Sequence, residues 1–434
     1  MSIRCCLHPA PRWAGVCSIL LLALLCERFA VASDTWPEFR GPRGDGIAVD
    51  QSPPIEFGDD KNLTWKTPLA GRAWSSPVIA DNVIWLTTAI ERSAEEVVEL
   101  KLLSLDAETG ELRKTIDLST VRAPDSIHAT NSYASPTPVI DNQSVYCHFG
   151  TYGTFCVDRS SGQVVWQRTL PLEHGVGPGS SPIVHEGRLI LIQDGMDQQY
   201  VTALAADTGQ DVWTKQRPPM EAPTGDQKKA YCTPVIVTDS LGREQLLCMG
   251  SQWMVSYDAE NGEEYWRLYH GKGYSVVPRP VVLGDVVFFA TGFNTPELWA
   301  GRIDGEGDVT STHVQWAVKK GIPSKSSPVL HDGLLYLVDD NGVASCFDTQ
   351  TGDRVWKKRL GGKFSASPIL AGNHLYFGNH EGEVFVLTLG DDSEVVTTNQ
   401  VEGQIMASPA VIDNALILRT DEAIYRFENP SPAS

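Results

Sequence analysis

Residues 326–356, SSPVLHDGLLYLVDDNGVASCFDTQTGDRVW, hold one complete structural unit. Pro328 follows two small residues and opens a short aliphatic run. A turn at Asp332-Gly333 separates it from the β-rich run LLYLV (334–338). A third run leads into the turn FDTQTG, and Trp356 stands four residues beyond Gly352, in a fourth run. Glycine there supplies the positive φ that a tight hairpin needs. Four short strands with tight turns make a small antiparallel sheet that needs neighbours to bury its faces.

The neighbours are in the chain. The small-residue–Pro–aliphatic step recurs at Pro77, Pro138, Pro182, Pro234, Pro280, Pro328, Pro368 and Pro409, at intervals of 61, 44, 52, 46, 48, 40 and 41 residues. That is the period of a four-stranded propeller blade. Turns like FDTQTG close on Gly110, Gly162, Gly209 and Gly262, and Trp166, Trp213 and Trp266 keep the four-residue offset, which predicts rings buried between blades. A proline that opens each unit suits the innermost strand, an edge that tolerates a missing N–H. The last unit offers AVIDNALILRT and AIYRFE, three strands, and then ends. Its fourth strand is predicted at residues 62–69, NLTWKTPL, far upstream. The reading is an all-β, eight-bladed β-propeller of four-stranded antiparallel blades over residues 62–428, the ring closed by an N-terminal strand that leaves no open edge. Residues 33–61 lead in and 429–434 form a tail.

Some units depart from the pattern. Lys114 replaces the tryptophan of blade 1, and blade 7 has none. Blade 5 carries IDGEGD in place of its turn and reaches Trp316 late. Residues 119–131 and 218–229 are long connections suited to a face of the ring.

Arg4 and Arg12 precede the apolar run 14–26, which ends at Ala30-Val31-Ala32. A basic start, a short apolar core and an A-x-A site predict a signal peptide over residues 1–32, cleavage after Ala32, and a soluble exported protein, periplasmic or secreted. Leu25 before Cys26 argues against lipidation, and no later run is long enough to span a bilayer. The net charge of −19 sits on the rest of the chain, since residues 1–32 are basic. That excludes nucleic acid as the expected partner. A monomer is expected.

Five cysteines follow the leader, too few and odd for a disulfide scaffold. A turn centred between Thr151 and Tyr152 puts Cys147 opposite Cys156, within reach of a bond, although two buried thiols satisfy the same packing. Cys232 and Cys248 are a second candidate pair, and Cys346 is left free.

The D-x-x-T-G-x-x-x-W turns resemble the tryptophan-docking motif of quinoprotein (PQQ-type) β-propellers, and WPEFRGPRGDGIA (36–48) followed by NLTW looks like that superfamily's opening segment. With HATNSYASPTPV, DGMDQQYVTALAADTG, KKAYCTP and GDVTSTHVQW, the chain is similar to a family of secreted bacterial PQQ-like repeat proteins, related to the propeller lipoprotein of the outer-membrane assembly machinery. The resemblance covers residues 34–428 and implies the propeller fold. A PQQ dehydrogenase of the superfamily would carry vicinal cysteines, a catalytic Asp and a Ca²⁺ site. The one vicinal pair, Cys5-Cys6, lies in the leader, and there is no C-x-x-C-H haem attachment.

Metal and nucleophile motifs are sparse. Asp304, Glu306 and Asp308 begin like an EF-hand loop, but Val309 and Gln315 break it, which leaves a solvated acidic turn. The histidines show no zinc spacing, and there is no phosphate loop or G-x-S-x-G elbow. One gathering remains. The positions before the repeat prolines hold Arg72, Trp74, Asn131, Tyr133, Lys229, Tyr231, Tyr274, Arg279, Lys325 and Lys363. Arg72, Trp74, Tyr133, Tyr231, Arg279 and Lys325 are the candidate cofactor-binding residues of a funnel mouth, able to hold an anionic or quinone-like ligand. The alternative is that they pair with the many carboxylates and pack between blades.

The expected function is a non-catalytic propeller that binds an envelope protein, peptide or ligand, without catalytic residues, metal or cofactor. The alternative is a periplasmic PQQ-dependent oxidoreductase of the alcohol or sugar dehydrogenase type, using PQQ with Ca²⁺. Carbohydrate binding through exposed aromatics is a third, weaker reading.

Overall fold

A computed structural model of the chain describes Met1, Ser2 and residues 35–430. The expected signal peptide, apart from its first two residues, and the last four residues of the tail lie outside the described residues.

Eight sheets follow one another around a ring, each meandering from an inner to an outer strand. In blade 6 these are Val329–His331, Leu334–Val338, Val343–Asp348 and Arg354–Arg359. The second strand shows why LLYLV is apolar throughout. Tyr336 and Val338 face the cluster shared with blade 7, while Leu335 and Leu337 face the cluster shared with blade 5. A strand sandwiched between blades buries both faces, so its sequence loses the alternation of a half-exposed strand. The fourth strand recovers it, half-buried and exposed residues alternating along Arg354–Arg359.

Ring closure is as expected. Ala410–Ile412, Ala415–Arg419 and Ala423–Phe427 form three strands of blade 8, and Leu63–Pro68 pairs antiparallel with Ala423–Phe427 as the fourth. Trp65 then docks on blade 1, its indole N–H donating to the Ala107 carbonyl at 3.1 Å. The ring lies over Gly110, where a Cβ would meet it at 2.5 Å. Trp166, Trp213 and Trp316 make the same bond to Ala206, Ala259 and Thr349 of the following blade, and Trp356 reaches Gly390.

The departures have structural counterparts. Lys114 lays its stem against Gly162 and donates to the Ser160 carbonyl at 2.6 Å, an ammonium in the role of an indole. Trp266 has no such turn to dock on and bonds Gln245 Oε1 of its own blade at 2.8 Å. The blade 5 insertion covers it: Gly307–Asp308 adds a fifth, parallel strand to blade 4. The predicted acidic turn is therefore an edge cover, with Asp304 bonded to Arg302 through both oxygens.

The Cys147–Cys156 bond is not formed, and all five described cysteines are free and buried. The hairpin turns through a 3₁₀ segment at Gly150–Tyr152, which places His148, not Phe149, opposite Thr154. A slip of one residue reverses the faces. Cys147 packs in the cluster toward blade 1 and Cys156 in the cluster toward blade 3. Cys232 and Cys248 likewise belong to different clusters.

Candidate functional site

The axis of the ring is built by the residue before each repeat proline. Ser76, Thr137, Ser181, Thr233, Ser327, Ser367 and Ser408 fill seven of the eight positions. Each backbone N–H donates to the hydroxyl of the next blade, from Ser76 to Thr137 (3.0 Å), Thr137 to Ser181 (2.9 Å) and Ser181 to Thr233 (3.3 Å). The circle resumes from Arg279 through Ser327, Ser367 and Ser408 back to Ser76, at 2.9–3.1 Å. It breaks at one link, because Arg279 has no hydroxyl to offer Thr233. Its guanidinium instead donates to the Pro234 carbonyl at 2.9 and 3.2 Å.

Arg279 also holds the opening segment. Residues 36–48 run along the inner strands rather than outside the ring. Trp36 bridges Ile79 of blade 1, and the Pro37 carbonyl accepts from Ile140 of blade 2. Glu38 pairs with Arg279 at 2.9 Å, Arg40 donates to the Pro328 and Pro368 carbonyls, and Ile47–Ala48 lies parallel to Ile369–Ala371 of blade 7. Gly44 turns past Arg279 at a φ of +66°, so close that a Cβ would lie 2.1 Å from Nη1. The segment is a plug that ties together five inner strands. Burial lowers the Arg40 guanidinium to about 9, Asp45 opposing, and burial raises the Glu38 carboxyl against the pull of Arg279.

Each of the six predicted site residues already has a partner within the protein. Arg72 stacks on Trp74 at 5.3 Å and donates to the Ala129 carbonyl, while Trp74 donates to Thr130 at 3.2 Å. Tyr133 bonds the Asp125 carbonyl at 2.7 Å and Tyr231 the His174 carbonyl at 2.6 Å. Lys325 donates to Ser365 Oγ at 3.2 Å and lies 3.8 Å from Asp340. Arg279 is buried against the plug. Of the neighbouring positions, Asn131 bonds the Val176 and Pro178 carbonyls, Lys229 pairs with Asp226, Tyr274 meets Phe293 edge-on, and Lys363 donates to Asn341. These side chains lace one loop to the next.

Sequence reading missed two polar groupings whose members are far apart in the chain. Between blades 2 and 3, under Tyr231, a cavity with room for one water is lined by His148, His174, Gln193 and Asp194. Asp194 faces Arg217 at 3.4 Å, both fully buried. Burial lowers His148 to about 3 and His174 to about 4, and raises the Asp194 carboxyl to about 6. Between blades 5 and 6, Phe293, Pro296, Ile322, Ser324, Asp340 and Asn341 line an open cleft of about 480 Å³. No residue spacing announces either. Among the described residues, one group offers three metal-ligating side chains, His185, Glu186 and Glu244, with both glutamates exposed.

The described residues contain no helix long and apolar enough to cross a membrane. The chain matches the family described as outer membrane protein assembly factor BamB over residues 56–177, 102–358 and 250–429. It is 23% identical over 263 residues to the tetrathionate hydrolase of Acidithiobacillus ferrooxidans, covering 58% of this chain and 50% of that one. It is 34% identical over 104 residues to BamB of Burkholderia pseudomallei, covering 24% and 27%. Against BamB of Bordetella pertussis it is 22% identical over 327 residues, covering 65% and 80%. It thus spans half or less of the first two relatives' own length. Among solved structures, a europium-containing methanol dehydrogenase aligns with a TM-score of 0.63 at 10% identity, over 90% of both chains. The quinohemoprotein alcohol dehydrogenase ADHIIG of Pseudomonas putida HK5 aligns at 0.61 and 12%, over 92% and 82%. Those likenesses are of fold. The repeat, the closed ring and the match across residues 56–429 together place the chain in the BamB family of PQQ-like β-propellers.

Proposed function

We propose that this protein is an exported binding scaffold of the cell envelope, holding a protein or peptide on the loops at one end of its ring, and not a quinone oxidoreductase. Membership in the BamB family supports a propeller that works by assembly. The observation that carries the reading is the engagement of the funnel-mouth residues. Arg279 is spent on Glu38 and Phe39 of the plug, and Arg72, Trp74, Tyr133, Tyr231 and Lys325 are bonded into loops. A quinone carrying several carboxylates needs free donors, and the bonding of these residues within the protein favours the scaffold reading. PQQ with Ca²⁺ is the cofactor pair to test. Under the scaffold reading, adding both leaves the melting temperature unchanged and supports no dye reduction with alcohols or sugars. Tight binding would stabilise the fold by about 2.7 kcal/mol at a hundredfold excess over Kd. A thermal shift abolished by Arg72→Ala or Lys325→Ala would overturn the reading and put a quinone in the mouth.

A further inference from the structure

The loops of blades 6 and 7 bring two basic side chains to one hydroxyl. Ser365, three residues before Pro368, lies 2.8 Å from His380 Nε2 and 3.2 Å from Lys325 Nζ. His380 stands in the turn that follows strand His374–Gly378, and its backbone N–H donates to the Lys363 carbonyl at 2.8 Å, which fixes that turn against the Ser365 loop. Lys325 is held by Asp340 at 3.8 Å, and Asp340 in turn accepts from the Ser324 N–H at 3.0 Å. Ser365, His380 and Lys325 are all partly exposed. Asp340, Asn341 and Ser324, beside Lys325, line the 480 Å³ cleft, which Ser365 and His380 do not themselves line; half-exposed Phe293 gives that cleft an apolar wall.

The direction of the Lys325 bond follows from its donor, and that of the His380 bond from the imidazole tautomer. An ammonium has no lone pair, so Lys325 donates to Ser365 Oγ, and with His380 in its Nδ1–H tautomer the hydroxyl proton bonds Nε2. That is the arrangement of an activated serine, a nucleophile in contact with its base. Burial and the neighbouring Lys325 hold His380 below its ordinary value, with Lys363 acting the same way and Glu381 and Asp340 opposing, which favours the neutral imidazole that a base must be.

We infer that Ser365 is a nucleophile toward acyl esters that reach its exposed side, with His380 as its base. The Oγ proton passes to Nε2 as Oγ bonds the carbonyl carbon, and the oxyanion forms beside the Lys325 ammonium. The C–O bond to the leaving group then breaks, and the alkoxide takes the proton from His380. Water releases the acyl group from Ser365 by the same route, so no cofactor or redox partner is consumed. The inference goes beyond the scaffold reading and stands or falls independently of it.

The test is a fluorophosphonate probe applied to the full chain at pH 7.5, read by intact mass and peptide mapping. The P–F bond is replaced by a bond to Oγ and fluoride leaves. The expected result is a single adduct on Ser365, absent from Ser365→Ala and about a hundredfold slower in His380→Gln, both variants melting like the parent. The wild-type reaction is decisive by itself should a variant fail to fold. No adduct, an adduct elsewhere, or an unchanged rate in His380→Gln would overturn the inference.

Discussion

A hydroxyl before each repeat proline, and an arginine where one is missing, sets the stability of the axis. Each Ser→Ala change at 327, 367 or 408 removes one hydrogen bond and leaves a buried N–H unpaired, at a cost of about 1–3 kcal/mol by denaturant unfolding. Arg279→Ala is expected to cost more, about 3–5 kcal/mol, because it strands the largely covered Glu38 and removes a buried guanidinium bonded to Pro234 and Phe39. Equal losses at the two kinds of site would show that Arg279 is only another link. The hydroxyl pattern was legible, since Ser or Thr precedes seven of the eight prolines, but its purpose was not: nothing along the chain says that blade n donates to blade n+1. The tryptophans were legible by spacing and differ by burial. Trp266→Ala, from a fully buried ring, is expected to cost about 3–5 kcal/mol. Trp356→Ala, from a half-buried one, should cost less. A larger loss at Trp356 would contradict this ranking.

Loops and hairpins are where the chain's pattern misled. The GTYG hairpin reads as a two-residue turn, but its two glycines take φ of +61° and +137° around a 3₁₀ segment, which shifts the register and parts the cysteines. Denatured protein without reductant should therefore titrate five thiols among the described residues, and a count of three would restore a disulfide. The buried cavity was illegible because His148, His174 and Asp194 come from separate strands and loops. It makes a signed prediction. Both histidines are depressed in the fold from an ordinary 6.5, so their contribution is complete above that value. As pH falls from 6.5 toward 4 the unfolded chain takes up protons that the fold refuses, and stability drops. Asp194, raised from 3.8 to about 6, has the opposite slope over most of that window, losing stability as pH rises. His174→Gln should flatten the acid loss in melts between pH 4.5 and 7. An unchanged slope would locate the loss elsewhere.

At the scale of the molecule, closure was legible because the last unit lacks a strand and the chain supplies one at its other end. The plug was not. WPEFRGPRGDGIA shows family likeness, but its irregular backbone follows no periodicity, and only the structure lays it along the inner strands. Closure predicts that a chain beginning after Leu69 exposes the edge of Ala423–Phe427 and aggregates, whereas a soluble, equally stable monomer would refute it. Residues 36–48 lie along the inner strands and, with Leu63–Pro68, hold the ring together. Hydrogen exchange of the intact protein tests this most directly, at the amides that donate to the plug: Ile79 to Trp36, Ile140 to Pro37 and Leu370 to Gly46. Exchange there is expected only through global unfolding, as slow as in the core strands of blade 8. Exchange within seconds at those three amides, while the blade strands stay protected, would contradict it.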